Sequence, residues 1–161
     1  MCPWLVRRYQ SPLRSYLRQM TAGDLETADE LAQESFIRAY QNIESFRADS
    51  QFSTWLFQIA RNQFLDLKKS KGNKMNEKTR SIGEEAEGTS MIESSSNRRI
   101  MLEQGLQKLE TTERELLLLN SVQEFSHQEI SKIAEIPLGT VKTRLKIIKE
   151  KMRNFLEESH Q

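Results

Sequence analysis

The sequence predicts an all-α fold in which two small helical domains are joined by a flexible linker. Apolar residues recur three and four positions apart over most of the 161 residues, as they do on the buried face of a helix. No segment shows the alternation of period two that marks a strand. Over residues 71–97 the periodicity disappears, and Gly, Ser, Asn and charged residues replace it. We therefore predict a first domain over residues 1–70 and a second over residues 98–161.

Three helices are predicted in the first domain. The first covers residues 3–20 and is interrupted or kinked at Pro12, because proline lacks the amide hydrogen that a helix interior uses. A loop over residues 21–24 leads into a second helix over residues 25–43. A third helix begins after a cap at Ser53 or Thr54. The apolar residues expected on the inner faces are Leu5, Tyr9, Leu13, Tyr16, Leu17 and Met20, then Ala28, Leu31, Ala32, Phe36, Ala39 and Ile43, then Trp55, Leu56, Ile59, Ala60, Phe64 and Leu67.

Capping boxes mark two helix starts in the second domain. A hydroxyl and a glutamate three residues later can each satisfy a free backbone N–H at a helix N-terminus. Ser126 with Glu129 has this spacing, and so does the segment Thr112–Glu115. The helix after Ser126 ends before Pro137, since the residue preceding a proline is pushed out of the α region. A last helix follows, with apolar residues at Leu138, Val141, Leu145, Ile148, Met152 and Phe155.

Two short helices joined by a tight turn form a helix-turn-helix, whose second helix can enter the major groove of DNA. The outward side of the last helix carries hydroxyls and cations, which suit base edges and phosphates. An ordinary bundle helix with a solvated basic face is the alternative, and the preceding capped helix and turn make it the weaker one. The residues expected nearest DNA are Thr140, Lys142, Thr143, Arg144, Lys146 and Lys149.

The net charge of +1 does not by itself indicate a nucleic-acid partner. The charges are nevertheless segregated along the chain, with basic stretches at residues 7–18, 61–80 and 142–153 and an acidic stretch at residues 24–34. Such blocks suggest basic surfaces for phosphate and an acidic surface for a protein partner. Ordinary solvated faces are the alternative.

A polar loop edged by Phe46 and Phe52 precedes the third helix, which has basic polar sides. Aromatic edges and cations together are what a single-stranded nucleic acid needs for stacking and charge neutralisation. Core packing is the alternative for such aromatics, and we expect it for Trp55 and Phe64.

Several classes of protein are disfavoured. Cys2 is the only cysteine, so an internal disulfide is impossible and a reducing compartment is the natural setting. Cys2, His127 and His160 are too few and too scattered for a zinc site, and we expect no cofactor or metal. No apolar run approaches the roughly 20 residues of a membrane span, and no signal peptide is evident. A cytoplasmic protein without membrane insertion is therefore expected.

Three segments resemble signatures of bacterial RNA polymerase sigma factors of the sigma-70 family. They are DELAQESFIRAY (residues 29–40), SFRADSQFSTWLFQIARNQFLD (45–66) and FSHQEISKIAEIPLGTVKTRL (125–145), in the family's order. The closest group is the extracytoplasmic-function (ECF) type, which keeps only regions 2 and 4. The resemblance covers nearly the whole chain outside the linker. It implies a region 2 bundle over residues 1–70 and a region 4 helix-turn-helix over residues 98–161.

The resemblance also implies a transcription initiation factor, and not an enzyme, that binds core RNA polymerase and promoter DNA. The second helix matches the segment that docks on the clamp helices of the polymerase β′ subunit, through Asp29, Gln33 and Glu34. The last helix matches the one that reads the −35 element. The β flap and an anti-sigma factor are further expected partners. The residues matching the −10 site, where a flipped base is captured, are Phe46, Arg47, Asp49, Ser50, Phe52, Trp55, Arg61 and Asn62.

The sequence departs from the family pattern in three places. Ile147 stands where arginine is common, which bears on the −35 preference, and Glu110 stands where proline is frequent. Little sequence precedes the first helix, which leaves open a further N-terminal segment.

Three rival functions remain open from the sequence. A repressor or activator that works without polymerase explains residues 125–155 but gives no role to the acidic helix or the Phe46–Phe52 loop. An all-α enzyme could use Glu129 with His127, or the pair Glu84 and Glu85, for acid–base chemistry. Their positions beside a helix cap and in the predicted linker disfavour it. An interaction protein, such as an anti-sigma partner, is disfavoured by the basic face of the last helix.

Overall fold

The computed structural model describes residues 3–47, 51–74 and 95–159. Within these ranges every regular element is helical, which confirms the all-α prediction. The α-helices are α1 (Pro3–Met20), α2 (Leu25–Gln41), α3 (Phe52–Lys74), α4 (Ser95–Lys108), α5 (Thr111–Leu117), α6 (His127–Ala134) and α7 (Leu138–Ser159). The chain divides into two compact units: an N-terminal unit containing α1 to α3, and a C-terminal unit containing α4, α5, α7 and most of α6.

The predicted linker, residues 71–97, lies mostly outside the described residues. Helices reach into it from both sides, since α3 continues to Lys74 and α4 begins at Ser95. The glutamates at positions 84 and 85 also lie outside the described residues.

The core of the N-terminal unit uses most of the predicted apolar residues, although Leu5, Tyr9, Phe36, Ile59 and Leu67 are half-buried and Phe57, which was not predicted, is buried. Leu13 and Leu17 of α1 and Leu56 of α3 are fully buried, and the Tyr16 and Phe57 rings pack with centroids 5.3 Å apart. Helix α1 continues through Pro12 as a single helix, so the predicted interruption is wrong. The proline costs one backbone hydrogen bond, and burial of the residues that follow it holds the second half of the helix in place.

The predicted loop at residues 21–24 is confirmed. Ala22 and Gly23 both have positive φ (56° and 87°), which turns the chain sharply after α1. Asp24 then caps α2, because its carboxylate accepts hydrogen bonds from the Thr27 amide (3.1 Å) and the Thr27 hydroxyl (2.7 Å).

Helix α2 ends earlier than the periodicity predicted. It stops at Gln41, and the backbone N–H and side-chain amide of Asn42 both donate to the Arg38 carbonyl, at 3.0 and 2.9 Å. A 3₁₀ turn follows at Ile43–Ser45. Ile43, predicted to be buried at the end of the helix, is therefore exposed.

The predicted cap of α3 is also wrong. The helix begins at Phe52, so Ser53 and Thr54 lie inside its first turn, and Thr54 is buried there. A buried threonine at this position packs within the unit and does not cap the helix.

The start of α5 needs a similar correction. Its N-terminal flanking residue is Glu110, whose backbone N–H donates to the Glu113 carboxylate at 3.3 Å, so Thr112 is not the cap. Arg114 is buried, and its guanidinium donates to the Leu106 carbonyl (3.0 Å) at the end of α4. Burial lowers the pKa of Arg114 from its ordinary value.

Helix α7 supplies the largest apolar face of the C-terminal unit. Four residues of its predicted stripe are buried, and the two at its ends, Leu138 and Phe155, are half-buried. Helix α4 approaches α7 closely at Gly105, where an added Cβ would lie 2.8 Å from the terminal methyl of Met152. The buried four are Val141, Leu145, Ile148 and Met152.

Candidate nucleic-acid interface

The helix-turn-helix begins with the predicted capping box. The Ser126 hydroxyl accepts from the Glu129 amide at 3.1 Å, and the Glu129 carboxylate accepts from the Ser126 amide at 3.0 Å. The two bonds satisfy two of the amides that a helix start leaves unpaired. This confirms the predicted start of α6 and gives Glu129 a structural role.

The turn between α6 and α7 is held by one residue of unusual conformation and one side chain. Glu135 ends α6 in the left-handed region (φ 57°, ψ 43°), which redirects the chain toward Pro137. The Ser131 hydroxyl donates to the Ile136 carbonyl at 2.6 Å and so ties the turn back to α6. Ile130, Ile133 and Val141 on the inner faces are fully buried.

The outward face of α7 is polar and basic, as predicted. Thr140 is half-buried, whereas the other five predicted contact residues are exposed. The Thr143 hydroxyl donates to the Gly139 carbonyl at 3.0 Å, which orients it on the helix surface. In the described parts of the chain, none of the cations on this face forms an ion pair. The exposed residues are Lys142, Thr143, Arg144, Lys146 and Lys149.

Ile147 is exposed among these polar residues. An apolar side chain at this position can contact a thymine methyl group but cannot neutralise a phosphate.

An aromatic cluster marks the second candidate surface, on the N-terminal unit. The Phe46 ring lies 5.1 Å from the Trp55 ring and 6.0 Å from the Phe52 ring, and Phe52 lies 5.9 Å from Trp55. All three side chains are half-buried, so they pack on each other and keep part of their surface open to solvent. Trp55 is therefore not a core residue, whereas Phe64 is buried as predicted.

The other residues of the predicted −10 site differ in exposure. Arg47 and Asn62 are exposed, and Arg61 is half-buried and already engaged in an interaction. Asp49 and Ser50 lie outside the described residues. The structure thus brings the three aromatic side chains of the prediction together and leaves Arg47 and Asn62 accessible.

One residue of the predicted acidic docking surface on α2 is already paired with side chains of α1. Asp29 pairs with Arg14 (3.6 Å) and Arg18 (3.9 Å) of α1, so it joins two helices. Gln33 and Glu34 are exposed, as predicted. The Glu34 carboxylate accepts a 3.2 Å hydrogen bond from Arg38 one turn later, an exposed pair that contributes little to stability.

Two exposed apolar side chains on α2 were missed by the sequence analysis. Ile37 and Tyr40 follow Gln33 and Glu34 along the helix and are largely solvent-exposed. They sit three residues apart and outside the buried stripe, so their spacing was the signal that could have revealed them. Together with Gln33 they extend the surface that α2 offers to a partner.

The described residues of the two units meet neither the requirements of a metal site nor those of a membrane span. In the described ranges no three His, Cys, Asp or Glu side chains come close enough to hold a metal ion. Likewise, no helix in those ranges is both long enough and apolar enough to cross a bilayer.

The fold is helical and has two modules, one of which contains a helix-turn-helix. Residues 5–74 match the family of sigma-70 region 2, and residues 99–152 match the family of sigma-70 region 4. The chain therefore belongs to the sigma-70 family, as a sigma factor of the ECF type.

Individual relatives agree with this assignment. The ECF RNA polymerase sigma factor SigW of Bacillus subtilis (strain 168) is 35% identical over 150 residues, covering 84% of this chain and 79% of that protein. The ECF RNA polymerase sigma-E factor of Escherichia coli (strain K12) is 32% identical over 165 residues, covering 95% and 85%. These relatives are transcription initiation factors and not enzymes.

A solved structure shows the same fold. The sigma factor RpoE from Bartonella quintana, in complex with the anti-sigma factor NepR, superposes with a TM-score of 0.77 at 20% sequence identity. The superposition covers 96% of this chain and 95% of that one.

Proposed function

We propose that this chain binds core RNA polymerase and directs it to promoters, with α7 reading the −35 duplex and the N-terminal unit holding the melted −10 strand. The observation that carries the proposal is the pairing, on one chain, of a helix-turn-helix with unpaired cations and a half-exposed aromatic cluster. Family membership supports the same assignment. Neither surface alone suffices for tight binding, and the affinities of two linked modules combine when both are engaged.

At the −35 element, α7 lies in the major groove. Lys142, Arg144, Lys146 and Lys149 are exposed cations that neutralise phosphates or donate to guanine. Thr143 lies on the same face, and exposed Ile147 favours thymine over guanine through contact with its methyl group.

At the −10 element, the cluster of Phe46, Phe52 and Trp55 receives an unpaired base. Extruding a base from duplex costs a few kcal/mol, and stacking on exposed aromatic surface offsets that cost. Arg47 and Asn62 are exposed and supply charge and hydrogen bonds to the strand. Asp49 and Ser50 belong to the same predicted site by resemblance.

The polymerase contact is assigned to α2. Gln33 and Glu34 give polar contacts to the β′ clamp helices, and the neighbouring Ile37 and Tyr40 supply exposed apolar area of the kind that dominates interface energies. Asp29 contributes indirectly, because its pairing with Arg14 and Arg18 positions α2 against α1. The C-terminal unit is assigned to the β flap.

An anti-sigma factor is proposed as a further, regulatory partner, and the cytoplasm as the site of action. The structural neighbour described above is a sigma factor bound to an anti-sigma factor, which supports the first proposal. The proposed cytoplasmic location follows from the location of polymerase and promoter DNA.

The test is run-off transcription with core polymerase on genomic fragments. Core polymerase should produce defined transcripts only when the wild-type protein is added. Lys142→Ala should weaken −35 recognition, whereas Arg98→Ala, which removes an exposed cation of α4 in the same unit, should not. Asn62→Ala and Arg61→Ala should weaken opening or −10 contact and leave duplex binding intact.

Two results would count against the proposal. If the purified protein fails to join core polymerase, or joins it without directing any start site, the proposed function is wrong. If it binds a duplex operator tightly without core, the chain acts as a simple repressor or activator.

A further inference from the structure

The first turns of α1 carry an aromatic and cationic surface that the proposed sites do not use. Trp4 is 57% exposed, which is unusual for a large aromatic side chain. The guanidinium carbon of Arg8 lies 5.3 Å from the centre of the Trp4 ring and 5.6 Å from the centre of the Tyr9 ring. One flat cation therefore lies against two neighbouring aromatic rings.

This surface is continuous with the aromatic cluster. The Tyr9 ring lies 5.6 Å from the Phe52 ring, and Phe52 in turn contacts Phe46 and Trp55. Each step between neighbouring groups falls in the range of ring-to-ring contact. The array thus runs without a break from Trp55 of α3 across to Trp4 near the start of α1.

The charge around Trp4 suits a polyanion. Helix α1 contains four arginines and no acidic residue. Arg14 and Arg18 share Asp29, whereas Arg7 and Arg8 form no ion pair within the described residues. Neither charge is therefore offset there by a neighbouring carboxylate, and both lie beside exposed aromatic surface, the combination that binds single-stranded nucleic acid.

We propose that Trp4, Arg8 and Tyr9 form a second stacking site, which holds one further unpaired base of the strand engaged by Phe46, Phe52 and Trp55. The inference rests on the proposed function and extends its −10 site along α1. The occupant is single-stranded promoter DNA, because the array continues the proposed strand-binding cluster and carries positive charge. Trp4 or the Arg8 guanidinium offers the stacking face, and Arg7 neutralises the adjoining phosphate.

The experiment compares holoenzymes reconstituted from core polymerase and the full chain. The probe is a promoter fragment on which the wild type initiates, with mismatches that hold the −10 region open. Trp4→Ala should weaken binding to this probe roughly tenfold, the scale of one lost base–aromatic stack. Trp4→Phe should recover most of the loss. Leu25→Ala, which alters a side chain of similar exposure (53%) in the same unit, should bind like the wild type.

Abasic substitutions along each strand of the open region locate the stacked base. At one position, loss of the base should weaken binding by the wild-type holoenzyme by about the same factor as Trp4→Ala does. Loss of that base should have little further effect on binding by the Trp4→Ala holoenzyme. Equal thermal unfolding midpoints of the wild-type and Trp4→Ala proteins, measured without polymerase, would show that the variant loses affinity for DNA and not stability of its fold.

Three outcomes overturn the inference. Trp4→Ala binding that matches the wild type on the open probe means that no base stacks there. Loss of affinity for core polymerase, with unchanged DNA binding by the holoenzyme once formed, means that the surface contacts protein. Failure of the wild type to initiate on any fragment overturns the proposed function itself and the inference with it.

Discussion

The exposed cations of α7 give a quantitative test of how the C-terminal unit holds DNA. Each phosphate that a protein cation neutralises contributes about −0.9 to the slope of log affinity against log salt concentration. Lys142, Arg144, Lys146 and Lys149 are exposed and unpaired within the described residues, so each is available for one such contact. Replacing one by alanine should make the slope shallower by about 0.9 if it contacts phosphate.

The size of the effect follows from this slope. Raising salt from about 50 to about 200 mM should weaken binding of a single variant about 3.5-fold less than that of the wild type. With all four cations replaced, the same rise in salt should weaken binding about 150-fold less than it weakens binding of the wild type. A cation that contacts a base edge should instead alter the sequence preference at one position.

The assay is a salt titration of holoenzyme binding to a duplex carrying the −35 element, followed by fluorescence anisotropy. Polymerase contributes cations of its own, so only differences between variants are interpreted. Arg98→Ala is the control, because Arg98 is an exposed cation of the same unit that lies on α4 and not on α7. Slopes that are unchanged in all four variants, or that change equally in Arg98→Ala, would refute the assignment of this face to DNA.

Three further predictions concern the framework of the C-terminal unit. Ser126→Ala removes the α6 cap and should lower the free energy of unfolding by about 0.5–2 kcal/mol, measured by urea denaturation. Glu135→Gly should raise it by about 1 kcal/mol in the same assay, since glycine adopts the left-handed conformation without steric cost; an unchanged or lower value would contradict this. The 2.8 Å hydrogen bond from Lys151 lowers the pKa of Glu113 in the folded protein. The bond should therefore stabilise the fold fully at pH values above 4.5, the ordinary pKa of Glu113, and this stabilisation should be lost as pH falls through the lowered folded pKa. The same bond raises the pKa of Lys151, whose contribution should persist below 10.5 and be lost as pH rises through the raised value. Thermal midpoints of wild type and Glu113→Gln across pH should converge at both extremes.

Local chemistry explains which elements were predictable. The Ser126–Glu129 box follows from side chains acting on backbone a few residues away, and the bounds of α1 follow from apolar spacing; both were found from the sequence. The buried stripe of α7 follows from helical spacing alone. The cap of α5 was misplaced because threonine is the commoner capping residue, while here the Glu113 carboxylate bonds the Glu110 amide.

Contacts between distant parts of the chain explain the rest. Asp29 was predicted to contact a partner protein, but in the folded unit it pairs with Arg14 and Arg18 of α1. Trp55 looked like a core residue because periodicity reports the direction of a side chain on its helix and not the depth at which the helix packs. Its half-buried position beside Phe46 depends on the course of the loop between α2 and α3.

The sequence alone determined the all-α class and the basic face of the last helix, because helical periodicity, capping motifs and charge are local properties. It also indicated the family, through the resemblance of three segments to known signatures. Tertiary structure alone joined Trp4, Arg8 and Tyr9 to Phe52 and Trp55, since α1 and α3 meet only when their apolar faces pack. A continuous aromatic surface of this kind depends on the distances between helices, and these distances cannot be derived from the spacing of side chains along one helix.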